Sequence, residues 1–170
     1  GVAGIGDVDG DSVPDILVGA WEHDSVGQAF AFSGTDGYLI YTIDNPRPSL
    51  GGAFSRGMAG IADVNGDLIP DLAIGDLGQD VGGNENQGAV FVFSGVSGLL
   101  LYSIENPFPE DGALFGRAIT GLDDVDGDSI PDLAIAAPGQ DKTYVLSGAN
   151  GSLLSTLDGG GNVIAVSDVN

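Results

Sequence analysis

Three stretches of the chain set oxygen-bearing side chains at fixed places in a nine-residue pattern. The first is Asp7-Val8-Asp9-Gly10-Asp11-Ser12-Val13-Pro14-Asp15. The others are Asp63-Val64-Asn65-Gly66-Asp67-Leu68-Ile69-Pro70-Asp71 and Asp124-Val125-Asp126-Gly127-Asp128-Ser129-Ile130-Pro131-Asp132. Each carries hard donors at positions 1, 3, 5 and 9, and the carbonyl of the apolar residue at position 7 offers a fifth oxygen. Such a set suits Ca²⁺, which takes several oxygens at about 2.3–2.6 Å, better than Mg²⁺, which keeps its waters. No His or Cys accompanies the pattern, which argues against zinc or copper. The predicted ligands are Asp7, Asp9, Asp11, Val13 and Asp15; Asp63, Asn65, Asp67, Ile69 and Asp71; and Asp124, Asp126, Asp128, Ile130 and Asp132. A fourth copy begins with Asp168 and Asn170, and about one Ca²⁺ per complete repeat is expected.

The competing reading is an Asp/Gly-rich turn whose carboxylates only cap backbone amides. Three copies in one register favour the cation. The 1-3-5 spacing is that of an EF-hand loop, but glycine stands at position 4 and apolar residues (Val18, Ile74, Ile135) at position 12. Strand-like sequence flanks the loops, so each reads as a short calcium hairpin.

Those loops are embedded in a longer repeat. GVAGIGDVDGDSVPDILVGA from Gly1 returns as GMAGIADVNGDLIPDLAIGD from Gly57 and AITGLDDVDGDSIPDLAIAA from Ala118, and NVIAVSDVN starts again at Asn162. Each complete copy continues into an apolar run, a Gly-x-x-Gly turn and a second apolar run, as in GQAFAFSGTDGYLIYTI from Gly27. The turns are Gly34–Gly37, Gly95–Gly98 and Gly148–Gly151. One repeat therefore supplies four short strands: the approach to the acidic loop, its exit, and two hairpin arms. No stretch has helical periodicity, and glycine recurs too often for a helix. The expected fold is all-β, with β-propeller-type blades of four antiparallel strands, three repeats plus the start of a fourth. A β-solenoid fits less well, because its rungs recur at shorter and more regular intervals. The repeats are bounded at 1–56, 57–117 and 118–161, with 162–170 opening the next.

The chain resembles the FG-GAP repeats of integrin alpha-chain propellers and their bacterial relatives. Phe54-Ser55 and Phe115-Gly116 stand at the family's Phe-Gly pair. Gly19-Ala20 and Ala136-Ala137-Pro138 match its Gly-Ala-Pro element, and Gly75-Asp76 matches it more weakly. The resemblance implies calcium bound in rim hairpins and an extracellular or cell-surface setting. The third repeat ends in Asp158-Gly159-Gly160-Gly161 without a Phe-Gly pair, so an altered edge is expected there. Closed propellers need about four to eight blades. Three repeats imply neighbours from a longer chain or from other copies, and a head-to-tail junction of Val163–Val166 with Val2–Ile5 would build a filament.

Composition narrows the function classes. The 170 residues carry 25 acidic and 4 basic side chains, a net charge of -21, which excludes a nucleic-acid binder and charge-driven adhesion to anionic membranes. There is no cysteine and no apolar run long enough to span a membrane. Arg56 and Arg117 follow the Phe-x pair in equivalent places and read as partners of nearby carboxylates rather than as ligand contacts. His23 reads as a solvated loop residue and Trp21 as packing between blades. Asn150-Gly151-Ser152 fits a glycosylation sequon but occupies a tight turn. The longest loop, with Asn84, Glu85 and Asn86, offers a partner surface. No asymmetric catalytic constellation stands outside the repeats, so the chain reads as no enzyme. The expected role is a calcium-binding module for adhesion, protein or glycan binding, or assembly. Its partners would be other repeats, or a protein or glycan ligand. The alternatives are a filament subunit and the non-catalytic part of a secreted hydrolase.

Overall fold

The computed structural model describes residues 1–49 and 51–159. The fourth copy, with Asp168, Asn170 and Val163–Val166, lies outside the described residues. The described residues form twelve strands: β1 (Val2–Gly4), β2 (Ile16–Ala20), β3 (Gln28–Phe32), β4 (Leu39–Asp44), β5 (Phe54–Ile61), β6 (Asp71–Asp76), β7 (Ala89–Phe93), β8 (Leu100–Glu105), β9 (Ile119–Gly121), β10 (Leu133–Ala137), β11 (Lys142–Leu146) and β12 (Leu153–Asp158). They form three four-stranded antiparallel sheets in the orders β1-β2-β3-β4, β5-β6-β7-β8 and β9-β10-β11-β12. Strands adjacent in sequence are adjacent in space, as in a propeller blade. The acidic loops join the first and second strands of each sheet, and the Gly-x-x-Gly turns join the third and fourth.

Two apolar cores hold the sheets face to face. The first joins Leu17, Ala29, Ala31 and Ile43 of sheet 1 to Phe54, Leu72, Ile74, Phe91 and Phe93 of sheet 2. The second joins Ala59, Ala73, Val90, Val92 and Ile104 of sheet 2 to Leu133, Ile135, Tyr144 and Leu146 of sheet 3 and to Phe115, which precedes β9. Sheet 2 is therefore covered on both faces, and every residue of β6 and β7 is buried. For that reason β7, AVFVF, is a continuous apolar run, while β6, DLAIGD, sets an apolar centre between two buried aspartates. On β2 the alternation survives: Leu17 is buried while Ile16 faces outward.

The Phe-Gly element supplies the closest approach between sheets. A methyl group on Gly75 would stand 2.2 Å from the carbonyl oxygen of Gly116, and one on Gly57 would stand 2.0 Å from it. Ser55 presents its carbonyl to Gly19 in the same way, at 2.2 Å. The preceding phenylalanines, Phe54 and Phe115, are fully buried in the two cores. The recurring pair thus has a steric meaning: the aromatic ring fills the interface and the next carbonyl needs a side-chain-free neighbour.

Candidate metal centre

Each acidic loop is folded around its first carboxylate. Asp7 accepts the N–H groups of Gly10 (2.7 Å), Asp11 (3.1 Å) and Ser12 (2.9 Å). Asp63 accepts those of Asn65, Gly66, Asp67 and Leu68, and Asp124 those of Gly127, Asp128 and Ser129. These bonds turn the chain back on itself, with glycine at position 4 and the residue at position 6 both at positive φ. The backbone donors of Ser129, then Gly127, hold the Asp124 carboxyl below the usual carboxylate range. At Asp63, burial pushes upward, but four backbone donors outweigh it and the net direction is down.

The ninth position closes the loop from the other side. Asp15, Asp71 and Asp132 are all buried. One oxygen of each accepts the N–H of position 2: Val8 at 2.8 Å, Val64 at 3.0 Å, Val125 at 2.7 Å. The other accepts the N–H of the first glycine of the hairpin turn: Gly34 at 2.9 Å, Gly95 at 2.9 Å, Gly148 at 3.0 Å. The turn is pressed tightly against the loop, since a methyl on Gly95 would lie 1.8 Å from the carbonyl oxygen of Pro70. Burial pushes the Asp71 carboxyl up, against the opposing pull of the Gly95 and Val64 donors.

These folds gather carboxylates. Oxygens of Asp7, Asp9 and Asp15 all lie within 4.8 Å of one another, as do those of Asp124, Asp126 and Asp132. In the second loop Asn65 takes position 3 and donates to Asp71 at 3.2 Å, which leaves that loop one charge fewer. Position 5 stands outside the gathered set. Asp11, Asp67 and Asp128 each accept the N–H of position 7, at 2.8, 2.9 and 2.8 Å. The side-chain bond from Thr35, followed by the Val13 donor, lowers the Asp11 carboxyl.

The donor set fits a hard divalent cation. It is all oxygen, and the ion pairs among the described residues are His23–Asp24, Arg47–Glu105 and Lys142–Asp158, none of which neutralises a loop carboxylate. Like charges this close are favourable only with a counter-charge between them. The groups available to hold such an ion are the carboxylates of positions 1, 3 and 9, with Asn65 at position 3 of the second loop. Amide capping and carboxylate clustering, opposed in the sequence reading, coexist here: the caps shape the loop and the remaining lone pairs converge.

Several other residues take places of their own. Arg56 joins no ion pair with a carboxylate among the described residues; its guanidinium lies over the Trp21 ring, 5.0 Å from the centroid, and joins sheet 2 to the loop after β2. Arg117 is exposed and joins no ion pair among the described residues. His23 is exposed at the start of a single 3-10 turn (His23–Ser25) and stands edge-on to Phe30. Tyr41 was not singled out from sequence. Its hydroxyl donates to the carbonyl of Gly95 at 2.6 Å, and Tyr102 repeats the bond to Gly148. Their identical places in the repeat were the available signal. Burial, first, and the nearby Asp71 and Asp132 push the Tyr102 hydroxyl up to about 12.

A sequence profile described as the FG-GAP repeat matches residues 115–154. Mouse integrin alpha-2 is 31% identical over 149 residues, covering 79% of this chain and 12% of the integrin. The chain belongs to the FG-GAP repeat family. Mouse integrin alpha-IIb is 31% identical over 155 residues, 82% of the FG-GAP chain and 15% of that relative. The chain therefore spans about an eighth of the length of these integrin chains. Among solved structures, an exotype rhamnogalacturonan lyase superposes with a TM-score of 0.54 at 17% identity, covering 92% of the FG-GAP chain and 33% of the lyase. That likeness concerns the fold alone.

Proposed function

We propose that the chain is a calcium-binding FG-GAP repeat module of an extracellular or cell-surface protein, serving adhesion, ligand binding or assembly rather than catalysis. The observation that carries this reading is the convergence of three carboxylates within 4.8 Å in the first and third loops, with no basic partner among the described residues. The ion would be held by Asp7, Asp9 and Asp15, by Asp63, Asn65 and Asp71, and by Asp124, Asp126 and Asp132, with position 5 and the carbonyls of Val13, Ile69 and Ile130 as further oxygens. Similarity to integrin alpha chains supports the adhesive role and the surface setting.

Ca²⁺ supplies charge neutralisation at these loops, and its binding would couple to folding. Thermal unfolding in millimolar Ca²⁺ against excess chelator tests this. An ion held at about 100 times its Kd adds about 2.7 kcal/mol, so the chelated protein should melt several degrees lower. Identical melting curves, with no ion retained on dialysis, would refute the reading.

A further inference from the structure

Each acidic loop is built into the interfaces on both of its sides. Position 2 reaches forward: Val8 is buried in the core between sheets 1 and 2, and Val64 in the core between sheets 2 and 3. Position 7 reaches backward: Ile69 packs against the first core and Ile130 against the second. The two residues of this kind without such a neighbouring sheet among the described residues, Val13 and Val125, are 38% and 59% exposed.

The forward valine meets the hairpin turn of the next sheet. A methyl group on Gly95 would stand 3.2 Å from Cγ1 of Val8, and one on Gly148 would stand 3.2 Å from Cγ1 of Val64. These are the glycines whose N–H groups Asp71 and Asp132 hold. A continuous line of contacts therefore links the loops. Asp15 holds the N–H of Val8, the Val8 side chain abuts Gly95, and Gly95 donates to Asp71. Asp71 in turn holds the N–H of Val64, which abuts Gly148, and Gly148 donates to Asp132. A second contact runs beside it, since a methyl on Gly6, just ahead of the first loop, would lie 2.8 Å from Cγ of Pro70 in the second.

We propose that the three loops take up divalent cations cooperatively, each bound loop preorganising the position-9 carboxylate of the next through its valine and the facing glycine. The proposal rests on the cation reading above. Its physical basis is ordering entropy: a loop whose ninth residue is already fixed has less freedom to lose when the ion arrives. Linkage makes the effect reciprocal, and the central loop, joined on both sides, is affected most.

Calorimetric titration of the intact chain with CaCl₂, with bound ions counted by equilibrium dialysis, tests the coupling. The expected isotherm is steeper than that of independent sites. Val8→Ala and Val64→Ala keep the N–H that the carboxylate holds but withdraw the side chain from the glycine. They should bind as many ions with the steepness lost. Asp9→Ala with Asp11→Ala disables the first loop through two exposed carboxylates, and should weaken uptake by the remaining loops about fivefold or more. An independent-site isotherm, or unchanged affinity of the remaining loops in that variant, overturns the coupling and leaves the cation reading standing. Absence of bound Ca²⁺ overturns the cation reading itself. Metal-free melting curves identify any valine variant that fails to fold, and the exposed first-loop variant then decides alone.

Discussion

Leu68 occupies position 6 of the second loop, where the other copies carry serine, and it is 88% exposed with φ at +71°. A branched side chain in the left-handed region raises the backbone energy, and none of the usual burial offsets it at this exposure. Leu68→Asn, a residue that tolerates this conformation, should raise stability by about 0.5–1 kcal/mol, read from the urea midpoint at unchanged m-value. Asp76 poses a different residue-scale problem. It is fully buried where sheets 1 and 3 carry Ala20 and Ala137. It accepts the N–H of Ala53 at 2.6 Å and the Asn45 amide at 2.9 Å. Burial, the largest influence, pushes its carboxyl up despite those bonds. A folded value above the unfolded one means that this group favours folding when protonated, and that its contribution is lost as pH rises through the folded value. Asp76→Asn should therefore flatten the fall of melting temperature with rising pH on the alkaline side of about 4. An unchanged pH profile would show that Asp76 is not its source.

At the scale of elements, the close backbone contacts decide which glycines are replaceable. Gly75→Ala puts a methyl 2.2 Å from the Gly116 carbonyl, so sheets 2 and 3 must separate. The expected cost is about 1–3 kcal/mol in urea denaturation, with the tyrosine environment of the second core changed in near-ultraviolet dichroism. Ala136 occupies the same place in sheet 3 by sequence. The strands and turns of the three complete copies were legible because the repeat shows each signal three times. Apolar runs, the acidic loop and the Gly-x-x-Gly turn recur in fixed order, and the sheets follow that order. The partner of Arg56 was not legible. Trp21 lies in another sheet's loop, and nothing local to Arg56 marks an aromatic ring rather than a carboxylate as its neighbour.

For the whole molecule, the charge of -21 is the dominant property. Self-repulsion weakens a compact state, and salt screens it over about 10 Å at 0.1 M. In chelator, melting temperature should rise between low salt and 0.5 M NaCl, and the rise should shrink once Ca²⁺ is present. Equal salt responses with and without Ca²⁺ would mean that the loop carboxylates are not the main source of the repulsion.

The sequence by itself determined the repeat, the all-β class and the residue types of the acidic loops, because these depend on local spacing and on chemistry carried by each residue. It also marked the Phe-Gly and Gly-Ala elements without explaining them. Only the tertiary structure decided what those elements do. It set the carbonyl of one sheet against the glycines of the preceding one and turned position 5 toward the backbone. It also made each position-9 aspartate a clamp between its loop and a distant turn. Such contacts join residues far apart in the chain, and their geometry arises only when the sheets are docked and burial selects which polar groups must find partners.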